Sequence, residues 1–234
     1  MSTPEQHLAD AFVTVAASLG HAYDVPAFLD VLATTGRDLL EAHAAGAVLV
    51  LDAAQPARVA GSDPQVALLE EEAAQGQEGP GHDCRRTGET LDVTLGAESA
   101  GLRWPRYTAR ARELGYARVA ALPLRGHDER VGALVLLRGD EDPLSPGALA
   151  LGRALADAAT IALLRERALD ESRRLTAQLE QALSSRIVIE QAKGVLASRL
   201  TLSVDEAFVL LRRHARAHQR KLSDVAMDVV GGRM

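Results

Sequence analysis

The 234-residue chain has one cysteine, Cys84, no asparagine, two lysines, one tryptophan and only 3% aromatic residues. A single thiol excludes an intramolecular disulfide framework and any zinc site built from several cysteines. No run of about 18 uncharged apolar residues occurs, which by hydropathy excludes a membrane-spanning helix. The N-terminus, MSTPEQHLADAF, has no basic segment and carries Glu5 and Asp10, so a secretory signal is not expected there. What the chain does have is 47% apolar and 25% charged residues, enough for one or two ordinary cores and too much for wholesale disorder. These features predict a cytoplasmic protein of one large or two small domains, with no membrane contact.

Charge is unevenly divided. Residues 1–179 hold 17 Lys+Arg against 26 Asp+Glu, a balance of −9, whereas residues 180–234 hold 9 against 6, a balance of +3. Both lysines, Lys193 and Lys221, lie in that last stretch. An acidic body with a mildly basic tail implies different partners for the two parts, although +3 is by itself no nucleic-acid signal.

The first forty residues read as helix, with Leu8, Ala11, Phe12 and Val15, then Phe28, Leu29, Leu32, Leu39 and Leu40, at helical spacing. Pro26 suits the first turn of the second helix. The run Ala47 to Leu51 and the segment Arg58 to Gly61 predict two strands. A polar helix over Pro64 to Gln75, whose Glu70-Glu71-Glu72 reads as a solvated face, leads into a glycine-rich loop over residues 76–88. Leu91, Val93 and Leu95 alternate as a third strand, and residues 103–114 read as helix. Val119 to Leu124 and Val131 to Leu137, joined by the charged turn Gly126 to Arg130, form the strongest strand signal, a hairpin.

From Ser145, a natural N-cap followed by Pro146, nothing breaks a helix until about Leu183. Ala148, Leu151, Leu155, Ala158 and Ala162 alternate by three and four, the seam of a coiled coil. The seam falters at Arg165 and Ser172 and recovers at Leu179 and Leu183. Either the helix pairs with a second copy, or its first half packs on the sheet and its second half is a solvated connector. The last fifty residues hold three helical segments with core positions Val188, Ala192, Val195; Phe208, Leu211, Ala215; and Leu222, Val225, Val229. Ser203-Val-Asp-Glu206 is a capping box, and Gly231-Gly232 stops the last segment.

The tail carries the most specific signal. Ile189-Glu-Gln-Ala-Lys-Gly194, Ser203-x-Asp-Glu-Ala-Phe208 with Leu211-Arg212, and Arg220-Lys-Leu-x-Asp-Val-Ala226 follow in an order and spacing that closely resemble the ANTAR domain over residues 186–230. That family consists of three-helix RNA-binding modules of bacterial transcription antiterminators. Ala197 stands where such domains often have Met, and Thr201 near where they have a turn glycine. Residues 1–160 are similar to a GAF sensor domain, through the order of helices and strands and through Glu78-Gly79-Pro80 with Arg86-Thr87-Gly88-Glu89. The two resemblances imply an α+β fold: a GAF-like antiparallel sheet with flanking helices over 1–145, a linker helix over 146–183, and a three-helix bundle over 184–234. The asparagine-containing signature of cyclic-nucleotide GAF domains is absent, as are the paired thiols of GAF-type sulfoxide reductases.

The residues expected at an RNA surface are Arg186, Lys193, Gly194, Arg199, Arg212, Arg213, Arg216, Arg220 and Lys221. Arg212, Arg216 and Arg220 are spaced four apart, so on one helix they form a basic stripe able to follow phosphates; a merely solvated face is the competing reading. Gly194 costs its helix roughly 1 kcal/mol relative to alanine, offset either by a buried helix contact or by close approach of a partner. With Phe208 on the apolar stripe, stacking is left to arginine planes or to His214 and His218. Cys84 beside Arg85 and Arg86 is either a low-pKa thiol or an incidental loop cysteine. No metal site, cofactor or catalytic constellation is expected. The resemblances imply an RNA-binding, signal-responsive antitermination regulator, partnered by hairpin-containing leader transcripts, by a second copy, and by a small-molecule or protein signal at the GAF-like domain. The alternatives are a DNA-binding regulator using the last two segments as a helix-turn-helix, with Ser223-Asp224 capping its recognition helix, and a module in which the tail only dimerises.

Overall fold

The computed structural model describes residues 4–18, 24–52, 54–126 and 129–233. His127 and Asp128 of the expected charged turn, residues 19–23 of the N-terminal helical stretch and the side chain of Leu8 lie outside the described residues. The chain divides into two compact units, residues 1–168 and 169–234.

In the first unit, α1 (Pro4–Ala17) and α2 (Val25–Leu39) precede β1 (Ala44–Leu49) and β2 (Arg58–Gly61). Asp24 caps α2 by accepting from the Ala27 amide at 3.1 Å, with proline in the first turn. α3 (Pro64–Gly76) begins the same way, Asp63 accepting from the Gln65 and Val66 amides at 3.0 Å. α4 (Pro80–Thr87), β3 (Leu91–Thr94), α5 (Glu98–Arg103) and α6 (Pro105–Glu113) then lead to the hairpin β4 (Arg118–Arg125) and β5 (Arg130–Arg138). The strands form one antiparallel sheet in the order β2-β1-β5-β4-β3.

Alternation in the three inner strands sends side chains to two cores. Ala45, Ala47, Leu49, Ala120, Leu122, Leu134 and Leu136 meet Phe28, Leu29 and Leu32 of α2 on one face. Ala44, Val119, Ala121, Ala133, Val135 and Leu137 meet Val66, Leu69, Cys84, Trp104 and Tyr107 on the other.

The sequence reading needs four corrections here. Residues 80–87 are helical, not a loop: proline starts α4, Gly88 in a left-handed conformation (φ 75°) ends it, and Cys84 anchors it in the second core. The helix expected over 103–114 is broken at Trp104, whose φ of −137° separates α5 from α6. The first strand runs from Ala44 to Leu49, three residues earlier in its start than expected. Glu70 is not on a solvated face; it is buried.

α7 (Pro146–Leu200) is one unbroken helix, so the first helix of the tail is the end of α7. Leu155, Ala156, Ala159 and Leu163 are buried in the first core, with Leu151 and Ala162 packed beside them. The first half of the expected coiled-coil seam is thus used by the sheet. A stretch of 18 residues in α7 has a mean hydropathy of 1.5 and no more than two charges, so by length and composition alone the helix passes the test for a membrane span that the sequence reading took it to fail. Its apolar face in residues 151–163 is committed to the core instead.

The second unit closes with α8 (Val204–Ala217) and α9 (Leu222–Val230). Ala192, Leu211, Ala215, Val225, Ala226 and Val229 are buried together, flanked by Val188, Val195 and Leu222. The capping box is formed: Ser203 Oγ accepts from the Glu206 amide at 3.2 Å and Glu206 Oε2 accepts from the Ser203 amide at 2.8 Å. Between α7 and α8 the chain turns through Thr201 at φ 52°, a left-handed conformation that a β-branched residue adopts at a cost. Thr201→Gly is expected to stabilise the bundle by roughly 0.5–1 kcal/mol, the relief of that strain less the entropy glycine adds to the unfolded chain; urea unfolding of the full chain checks it.

Candidate functional site

Two places gather chemistry, one in each unit. In the first, a cavity of about 270 Å³ opens between β1, the start of β2, α3 and α4, lined by Val48, Val50, Gln55, Pro56, Ala57, Glu70, Ala73, Ala74, Gln77, Glu78, His82 and Arg85. Glu70 follows Val66 and Leu69 on the inward face of α3 and is 1% exposed. Tyr107 Oη donates to its Oε1 at 2.8 Å. Burial pushes the Glu70 pKa from its ordinary 4.5 to about 7, with the tyrosine hydrogen bond acting the other way. Burial first, then Arg85, holds the His82 pKa below its usual value. Glu78 caps α6 from a distance in sequence, Oε1 accepting from the Arg106 and Tyr107 amides at 2.7 and 3.0 Å. Asp83 accepts from Trp104 Nε1 at 2.9 Å and from Arg103 Nε at 2.7 Å; burial opposes its ionisation, but these bonds outweigh it and hold its pKa low.

Cys84 is fully buried, and burial pushes its pKa up to about 12, against the pull of Arg125. The low-pKa reading of this thiol is therefore corrected: Arg86 turns to Asp83 at 3.4 Å and Arg85 lines the cavity, so neither activates it. Among the described residues no group of three or more His, Cys, Asp or Glu side chains is gathered for a metal ion.

In the second unit, the structure brings two of the expected RNA-facing residues together. Lys193 Nζ lies 5.4 Å and the Arg212 guanidinium 5.7 Å from the centre of the Phe208 ring. Phe208 is half-buried and sits at the edge of the stripe instead of in the core, because Ala207 and Leu211 take the inward positions. The two cations thus gather over one aromatic ring. Lys193 also pairs with Glu190 at 2.8 Å. Arg186, Arg199, Arg213 and Arg216 are exposed. Gly194 is exposed too, and a Cβ there would meet nothing within 4 Å, so no helix contact among the described residues explains it.

The stripe is shorter than expected. α8 ends at Ala217, Gln219 turns left-handed (φ 52°), and Arg220 leaves the helix to pair with Asp228 at 2.6 Å. Lys221 is the N-cap residue of α9, which has no side-chain cap; Ser223 bonds to Asp224 instead, so the expected Ser223-Asp224 cap is not formed. His214 and His218 stack on each other, ring centres 4.1 Å apart.

Of the residues that matter, sequence reasoning missed Glu70, Tyr107 and the exposure of Phe208. Glu70 was detectable: with Val66, Leu69 and Ala73 it completes a helical stripe, a charged residue at an inward position.

A five-stranded antiparallel sheet covered on both faces, with a cavity between its edge and the α3–α4 side, defines a GAF-type sensor domain. A family model of the GAF domain matches residues 22–164, and one of the ANTAR domain matches residues 177–230. The chain belongs to the GAF domain family and carries an ANTAR domain behind it, which makes it a GAF–ANTAR regulator. Among solved structures it is similar in fold to the GAF domain of a phosphoenolpyruvate-protein phosphotransferase from Coxiella burnetii, at 14% identity and a TM-score of 0.52, covering 73% of this chain and 99% of that one. The GAF domain of an Acinetobacter phosphoenolpyruvate-protein phosphotransferase aligns over the same shares at 14% identity and a TM-score of 0.50. No curated protein matches the chain.

The buried carboxyl makes stability depend on pH. Because Glu70 ionises at about 7 in the folded chain and at about 4.5 unfolded, the stability gained by keeping it protonated is complete below the lower value and is lost as pH rises through the higher. Above it the cost is on the order of 3 kcal/mol. Glu70→Gln is expected to raise the stability of the first unit by a similar order at about pH 8 and to change it little at about pH 4.5, as read by denaturant unfolding of the full chain.

Proposed function

We propose that this chain is a cytoplasmic regulator that binds hairpin RNA in nascent transcripts through its C-terminal bundle and promotes transcription antitermination, with the GAF unit as receiver of a small-molecule or protein signal. It acts by binding, not by catalysis. The observation that carries this reading is the convergence of Lys193 and Arg212 on the Phe208 ring, with Arg213 and Arg216 exposed on the same helix as Arg212. Cations on two helices follow phosphates, and the ring between them holds the two side chains together. Gly194, with open space above it, lets RNA backbone come close to α7. Arg186, Arg199, Arg220 and Lys221 extend the surface at its edges.

A second copy of the chain fits the free face of α7. Leu175, Leu179, Leu183 and Ile187 are each half exposed or more and succeed one another at spacings of four, an apolar stripe that pairing with its equivalent would cover. A dimer presents two RNA surfaces, which suits a target with two hairpins. Coupling requires a signal that favours one of two arrangements of the shared helix.

Two experiments test the reading. The purified protein is mixed with a pool of leader transcripts from the encoding genome at low and moderate salt. Tandem hairpins are expected to be enriched, the enrichment to fall with salt, and an Arg212→Glu, Arg216→Glu variant to lose roughly tenfold or more in affinity. Equal binding by a folded variant would show that the stripe does not hold RNA. Separately, a Leu179→Glu, Leu183→Glu variant is expected to sediment as a monomer while the parent sediments as a dimer.

A further inference from the structure

The cavity wall of the first unit carries a carboxyl and a guanidinium that form no ion pair with any described residue. Glu70 receives a hydrogen bond only from Tyr107, at Oε1; its Oε2 has no partner among the described residues. The fold makes deliberate room for this carboxyl: a Cβ on Gly46 would lie 2.6 Å from Glu70 Cγ, and one on Gly81 would lie 3.5 Å from Oε2. A buried carboxyl held by a single neutral partner is costly, and an uncharged side chain of the same length would fill the space without that cost. Arg85 stands one helical turn beyond Gly81, half-buried, and makes no hydrogen bond or ion pair with any described residue. The two charges do not satisfy each other, since burial and Tyr107 alone act on Glu70. The rest of the wall is mixed, with an apolar patch from Val48, Val50, Pro56 and Ala57 beside the polar Gln55, Gln77 and His82. At about 270 Å³ the space suits a small molecule.

We propose that this cavity binds a small zwitterion of the amino-acid type, its ammonium group received by Glu70 and its carboxylate by Arg85, with its side chain against the apolar patch. The proposal rests on the reading of the GAF unit as receiver of a signal and gives that signal a chemical class. The ammonium donates to the vacant Oε2 while Tyr107 holds the other oxygen, so the carboxyl is ionised and paired when the ligand is present. Arg85 offers a planar fork of donors that matches a carboxylate. An amine without a carboxylate leaves Arg85 unpaired, and a carboxylic acid without an amine leaves Glu70 buried and unpaired.

The standard amino acids are titrated one by one, by isothermal calorimetry, into the full chain and into Glu70→Gln and Arg85→Gln variants. For any that binds, the corresponding decarboxylated amine and deaminated acid are titrated as well. At least one amino acid is expected to bind saturably, and each variant and each truncated analogue to weaken binding by about tenfold or more. Unfolding midpoints of the two variants at or above the parent's show that the fold is kept. Parent affinity for the amine or the acid alone overturns the zwitterion assignment, as does unchanged affinity in both variants or the absence of heat from every amino acid. An ultrafiltered small-metabolite extract, tested in parallel by thermal shift, reads the receiver role separately: a shift lost in Glu70→Gln with no amino acid bound keeps that role and overturns the ligand class. None of these readouts involves RNA, so a failure of the RNA reading is distinguishable from a failure here.

Discussion

The inner strands β1, β5 and β4 are apolar on both sides, and most of the first unit follows from that constraint. Small side chains such as Ala44, Ala45, Ala47, Ala120, Ala121 and Ala133 keep the sheet thin enough for helices to approach both faces closely. At Gly36 and Gly152 the approach is so close that a Cβ would press on Leu134 or on Leu122 and Leu40. Burial of apolar surface at about 25 cal/mol per Å² is what holds such layers together, and neither face can be left open. One face is closed by α2 and the first part of α7, the other by α3, α4 and α6.

Closing the second face is also what produces the cavity. α3 packs over β1 and β2 and α4 over β4 and β5, each begun by a proline, and they leave the space between them unfilled. Half of the residues lining it are polar or charged. Asp83 is consumed in tying α4 to Trp104, and Glu78 in starting α6. Glu70 is tied to Tyr107 through one oxygen only, and Arg85 makes no hydrogen bond or ion pair with a described residue. A structural side chain and a binding side chain are told apart here by whether their hydrogen-bonding capacity is used within the chain.

Much of this was legible in the sequence, and the misses have physical causes. The β4–β5 hairpin, α2, the capping box at Ser203 and most of the bundle core follow local rules of spacing and turn chemistry, which tertiary contacts did not overrule. α4 was illegible because its start, Gly79-Pro80-Gly81, has the composition of a loop; Cys84, seated in the second core, anchors it as helix. Glu70 was hidden inside a run of three glutamates, of which only the first faces inward. Arg220 followed the four-residue spacing of the stripe, but spacing does not register that the helix has already ended in the left-handed turn at Gln219. Phe208 was assigned inward by its spacing with Leu211 and Ala215, yet Ala207 and Leu211 take the inward positions and leave it at the edge of the stripe.

The one tryptophan of the chain, Trp104, is 2% exposed and held by its ring nitrogen to Asp83 of α4, the helix that also carries His82 and Arg85. Its fluorescence therefore comes from a single rigid chromophore in a dry setting, wired to the helix that walls the cavity. The bundle contains no second indole to mix with that signal. Emission from the intact chain is a private optical channel into the first unit, open with no label attached.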